Sequence, residues 1–235
     1  MRCKFLLFLS LILIHFAQAE ELPLRVVTEA SYPPFESFDQ NKQLVGFDID
    51  LAKALCMQMK RECQFYHQPF DSLLGSVAVG HYDFAISALD ITEPRQRLVN
   101  FSHAYFDNIA VYITKAEYKL TSQSVVAVQN GSSFQRFLRR QRKAIFSISY
   151  PSYQLALQDL LQDRIDAVLL DSAAAHYWLV KHPQYVLQTD RTYPASGLGI
   201  AVSKQDQRLL QKINDALKVL KSNGEYQAIY QAYFK

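Results

Sequence analysis

The sequence has no Gly-x-Ser-x-Gly, and its histidines and cysteines never fall at metal-ligand spacing. Those absences remove the hydrolytic signature and give no reason to expect a metal or another cofactor. His67, His81, His103, His176 and His182 are scattered and read as surface or capping groups. No low-complexity stretch or linker interrupts the chain, so its length allows one large domain or two small ones. Long apolar runs are missing too. The longest, Phe5 to Phe16, is broken by Ser10 and His15 and is too short to span a bilayer. Arg2 and Lys4 precede it and Ala17-Gln18-Ala19 follows it, so residues 1–19 read as a secretory signal cut after Ala19. Cys3 lies far from that cleavage site and does not resemble a lipoprotein attachment cysteine.

Charge of one sign is also lacking. The 25 Lys and Arg face 22 Asp and Glu, and the leader removes two of the basic residues, leaving a formal +1. That is no footprint for nucleic acid. The basic stretch Arg136, Arg139, Arg140, Arg142 and Lys143 reads as a solvated helix face, with a docking patch as the alternative. Two cysteines remain after cleavage, Cys56 and Cys63, and in an oxidising compartment a disulfide between them is expected.

What is present is a succession of α/β units. Leu24–Thr28 reads as a strand, and residues 29–36 as a loop because Pro33 and Pro34 oppose regular structure. Phe47, Leu51, Ala54, Leu55 and Met59 mark a helix face, and a second helix runs from Phe70 to Gly80. In the second half, strands are expected at 109–114, 125–129, 145–148, 167–170 and 200–202, with helices between and after them. A weak internal echo places Asp83 and Asp166 each just before an apolar strand. Two similar units suggest two lobes presenting strand ends to a shared space.

The chain's centre of gravity is Asp83 to Arg97, a short buried strand opening into Ser87, Asp90, Thr92 and Arg95. Thr92 suits an N-cap. A helix N-terminus beside a guanidinium suits a carboxylate, because Arg offers a planar fork for both oxygens. The Ser132-Ser133 helix start adds further donors, and Asp171 at a strand's end would accept an ammonium. Together these describe an α-amino acid zwitterion. Tyr32 and Phe70 could wall its side chain, with the loop acid Glu29 nearby.

Ser31-Tyr-Pro-Pro-Phe-Glu-Ser, Val45-Gly-Phe-Asp-Ile-Asp-Leu, the Cys56/Cys63 spacing, Asp90-Ile-Thr-Glu-Pro-Arg and Gly197-Leu-Gly-Ile-Ala-Val resemble the periplasmic polar amino-acid-binding proteins of ABC importers. The arginine-binding branch is the nearest likeness. The resemblance implies an α/β, two-lobed periplasmic-binding-protein (type II) fold. Lobe 1 would be 20–108 and 197–235 and lobe 2 109–196, with hinges at Asp107 to Ile109 and Tyr193 to Gly197. It implies that Arg95, helped by Ser87 and the Ser132-Ser133 turn, binds the carboxylate, Asp171 the ammonium, and Tyr32 and Phe70 the side chain; Thr92, at the same strand end as Arg95, is counted with the site from the residues themselves. Glu29, with Glu36 or Asp90, would neutralise a cationic end. Ala88 stands where some relatives have a second Ser, and Phe134 where many have a polar residue. The function implied is capture of a basic amino acid, most simply L-arginine, by a periplasmic monomer that serves an ABC permease. The alternative is an exported dehydratase of the same fold acting on a prephenate-like acid.

Overall fold

The computed structural model describes residues 22–141, 145–190, 192–194 and 197–234. The signal expected at 1–19 and two members of the basic stretch, Arg142 and Lys143, lie outside them. The chain opens with β1 (Leu24–Thr28), whose Val26 and Val27 are fully buried. Three short strands follow, β2 (Ser31–Tyr32), β3 (Glu36–Phe38) and β4 (Leu44–Val45), forming an antiparallel sheet of their own. This corrects the reading of 29–36 as a plain loop. Pro33 and Pro34, joined by a cis peptide, occupy the turn between β2 and β3, where no ladder N–H is needed.

Gly46 then brings the backbone against Phe35: a Cβ here would stand 2.2 Å from the Phe35 carbonyl oxygen. Helix α1 (Phe47–Gln58) starts at that contact, buries Phe47, Leu51 and Leu55, and carries Asp48 and Asp50 in its first turn. Acids there match the positive end of the helix dipole. Cys56 near its end is bonded to Cys63, the first residue of β5 (Cys63–His67). Next come α2 (Leu73–Ala78), β6 (Phe84–Ala85), α3 (Glu93–Gln96) and β7 (Asn100–Phe101).

The chain then crosses into a second sheet. It contains β8 (Ala110–Lys115), β9 (Val125–Gln129), α4 (Ser133–Arg140), β10 (Phe146–Tyr150), α5 (Tyr153–Leu161), β11 (Ala167–Asp171), α6 (Ser172–Leu179) and β12 (Tyr185–Thr189). A second crossing leads back to β13 (Ala201–Val202), α7 (Gln207–Ser222) and α8 (Glu225–Tyr233). The first sheet has the order β5-β1-β6-β13-β7 and the second β10-β9-β11-β8-β12. Two lobes result, each with a five-stranded mixed sheet and flanking helices. The two crossings touch, since Leu198 bridges to both Asp90 and Phe106.

The internal echo has a physical basis. Asp83 accepts from the Arg25 amide at 2.7 Å, and Asp166 from the Val125 amide at 2.7 Å. In each lobe one carboxylate thus pins the start of the neighbouring strand. Helix α8 closes the first lobe, with Phe234 5.1 Å from the Phe47 ring and 4.8 Å from that of Phe106 in the first crossing.

Candidate functional site

The carboxyl ends of β6, β9 and β11 meet between the lobes around a narrow inner cavity. The first lobe contributes Tyr32, Phe70, Ala88, Asp90 and Arg95 to its wall. The second contributes Gln129, Ser132, Ser133, Phe134, Tyr153 and Asp171. A larger cavity of about 730 Å³ lies outside it, at the rim formed by α3 and α4, and Arg95, Ser132 and Ser133 border both.

Arg95 is placed by α3, whose Thr92 stands at the N-cap position although its hydroxyl makes no capping bond. One guanidinium nitrogen donates to the Asp90 carbonyl at 3.0 Å and another reaches across the cleft to the Gly131 carbonyl at 3.2 Å. The guanidinium carbon lies 5.4 Å from the centre of the Phe70 ring, a cation–π distance. Burial pulls the guanidinium pKa down and Asp90 pulls it back, so Arg95 stays charged.

Asp171 ends β11 at the N-terminus of α6 and is buried. Its Oδ2 accepts from the Tyr32 hydroxyl, and its amide donates to the same hydroxyl at 3.1 Å. Its Oδ1 is buried and makes no hydrogen bond of ordinary geometry, although the Asn108 side chain lies near enough to favour the charged form. Burial, reinforced by Asp90, pushes this carboxyl up to about 8. Asp90 itself is held by three donors: Asn108 at 2.7 Å, Tyr193 at 2.8 Å, and Ser133. Ser132 caps α4 as expected, accepting from the Gln135 amide at 3.1 Å.

Several expected site residues stand elsewhere. Ser87 is fully buried and does not border the cavity; it donates to Glu36 at 2.7 Å and accepts from the Glu29 amide at 3.1 Å. Past the end of β6 the chain bends, and Ala88, at φ 42°, borders the cleft in place of Ser87. Glu36 is likewise fully buried behind Ser87 and does not border the cavity. Thr92 borders only the outer cavity. Glu29 lies just behind the wall, bonded to Ser31 and reached by the Gln129 side chain from the other lobe; burial raises its pKa. Tyr32 and Phe70 both border the cavity, but Tyr32 stacks on Tyr153 at 4.9 Å and Phe70 lies against Arg95. Arg136 and Arg140 border the outer cavity. Asn108, Gln129, Tyr153 and Tyr193 were not anticipated. Gln129 ends β9 and Tyr153 opens α5, so the strand-end rule applied to every unit would have found those two.

Residues 24–235 match the bacterial extracellular solute-binding proteins, family 3. An Escherichia coli protein named ABC transporter arginine-binding protein 1 is 42% identical over 213 residues, 87% of this chain and 88% of that protein. An arginine-binding periplasmic protein of Mannheimia haemolytica is 39% identical over 92% of each chain. Among solved structures, a Salmonella typhimurium periplasmic binding protein described for high arginine specificity aligns with a TM-score of 0.86. That pair is 37% identical, covering 91% of this chain and 99% of the other.

Proposed function

Because the chain belongs to the bacterial extracellular solute-binding proteins of family 3, we propose that it captures L-arginine and hands it to the permease of an ABC importer. The observation that carries this reading is the charge inventory of the inner cavity. Two carboxyls, Asp90 and Asp171, border it against one guanidinium, Arg95, and Glu29 adds a further acid just behind. A buried cavity favours the ligand that balances it. Counting Glu29, a neutral zwitterion leaves two acids uncompensated, whereas arginine, with one negative and two positive groups, offsets one of them. Its carboxylate falls to Arg95 and its ammonium to Asp171 Oδ1. Its guanidinium turns to Glu29, with Asp90 in reserve. A prephenate-like dianion suits a surplus of acids poorly, so the protein binds and breaks no bond.

The protein acts as a monomer, exported through cleavage after Ala19. Its lobes are 20–108 with 197–235 and 109–196, moving about the crossings at Asp107 to Ile109 and Tyr193 to Gly197. Titration calorimetry with arginine, lysine, glutamine and prephenate tests the reading. Arginine should bind tightest. Glu29→Gln should weaken arginine by about 1.5–3 kcal/mol, the scale of a charged hydrogen bond, and leave any glutamine binding almost unaltered. A wild type that prefers glutamine or prephenate to arginine ends the proposal.

A further inference from the structure

Behind the cavity wall of the first lobe lie two carboxyls that neither the fold nor the ligand neutralises. Glu36 on β3 and Asp48 in the first turn of α1 are both fully buried. Asp48 Oδ2 accepts from the Ala88 amide at 2.7 Å and from the Tyr105 hydroxyl at 2.8 Å. Glu36 Oε1 accepts only from Ser87. The remaining oxygens, Glu36 Oε2 and Asp48 Oδ1, have no partner, and the two carboxyl groups lie within hydrogen-bonding reach of each other. Among the described residues, the groups facing the pair are Glu29, Ser87, Tyr105 and the Ala88 amide, with no cation. Two ionised carboxylates cannot share such a place. One proton between them turns two orphan acceptors into a donor and an acceptor. Asp48 already receives two donors, so the proton belongs on Glu36.

We propose that a proton held by Glu36 Oε2 and donated to Asp48 Oδ1 is a positioning element of the binding site. Its reach is short and traceable. Asp48 holds the Ala88 amide, and Ala88 borders the cavity at φ 42°, the left-handed region that L side chains rarely adopt. Glu36 orients the Ser87 hydroxyl, which in turn fixes the Glu29 amide at the edge of the cavity. Burial raises both carboxyls above their usual range, and Asp48 pushes Glu36 further.

The effect on ligand rests on the reading of the cavity as an amino-acid site; the proton itself does not. An acid raised in the folded state keeps a proton that the unfolded chain has released, so stability falls as pH rises through that window. Glu36→Gln supplies a permanent donor and removes this slope. In ligand-free protein its melting temperature should therefore gain on wild type steadily between pH 5 and pH 8. Carbon-13 carboxyl spectra of wild type at pH 7 should contain a protonated glutamate resonance that is missing from Glu36→Gln. For arginine, Glu36→Leu should lose at least tenfold in affinity, and Glu36→Gln should recover most of that loss. Should Glu36→Gln fail to fold, Asp48→Asn carries the same expectation, since its oxygen still accepts from Ala88 and its amide donates to Glu36. Parallel melting profiles, or full ionisation of every glutamate at pH 7, would overturn the shared proton. A Glu36→Leu variant that binds arginine like wild type would overturn the positioning role. Failure of arginine to bind wild type at all would strike the functional reading, while the ligand-free titration still decides the proton.

Discussion

Arg95 and Asp171 are 76 positions apart in sequence and border one cavity, and each is incompletely satisfied in a way that a zwitterion completes. Arg95 spends two nitrogens on backbone carbonyls and has donors left over. Changing Arg95 to Met keeps most of its bulk and removes the fork. Arginine binding should fall by at least about 3 kcal/mol, the scale of a desolvated ion pair broken from one side. The melting temperature should barely move. Calorimetry returning near-native affinity would remove Arg95 from the site. Asp171 makes a separate statement through its proton. Its pKa of about 8 in the free protein falls when an ammonium presses on Oδ1. Binding then releases a proton at pH values between the lowered bound-state pKa and about 8, so affinity rises with pH through that interval and levels off above it. Calorimetry at pH 7 in buffers of different ionisation enthalpy should report that release. Identical heats in every buffer would place the ammonium elsewhere.

At the scale of elements, the turn between β9 and α4 decides how closely the lobes can meet. Gly131 has φ +73°, and a Cβ there would come within 2.7 Å of the Asp71 Cβ and 2.8 Å of its Cα in the opposite lobe. Gly131→Ala therefore places a wedge at the seam that Arg95 bridges. Arginine affinity should drop by tenfold or more, about 1.4 kcal/mol, in addition to the about 1–2 kcal/mol of ligand-free stability that a left-handed alanine costs. A loss of stability with arginine affinity unchanged would make Gly131 a matter of local folding. No sequence pattern announces this contact, because it joins the two lobes. The elements themselves were legible: the periodicity of Phe47, Leu51 and Leu55 gives α1, and the strand-end rule gives Arg95 and Asp171. Ser87 and Glu36 lie behind the cavity wall because the chain bends beyond β6, with Ala88 at φ 42°, and no residue pattern announces such a bend. Strand β12 (Tyr185–Thr189) escaped notice because its Gln188 and Thr189 dilute a short apolar run. The Tyr32–Asp171 bond spans 139 positions and leaves no local trace.

The molecule as a whole must open. The inner cavity encloses about 10 Å³, room for roughly one water, so arginine enters only when the lobes part. Among the described residues, the bonds across the seam include Tyr32 to Asp171, Asp90 to Ser133 and to Tyr193, and Arg95 to Gly131, and Gln129 reaches Glu29. Tyr32, Asp90, Arg95, Ser133 and Asp171 border the cavity, so a ligand that engages them takes over part of the task of joining the lobes. Moving a two-state protein from 1:99 to 99:1 in favour of the closed form takes about 5.5 kcal/mol of differential binding. Two charge-assisted interactions, at Arg95 and at Asp171, supply about 3–6 kcal/mol together, which is the scale needed without any strain in the crossings. Small-angle scattering should accordingly give a smaller radius of gyration when arginine is added. Arg95→Met should shrink less at equal saturation, because half of the differential energy is gone. A profile that arginine leaves unchanged at saturation would mean that the lobes do not close on the ligand, and the seam contacts would then be permanent features of the fold.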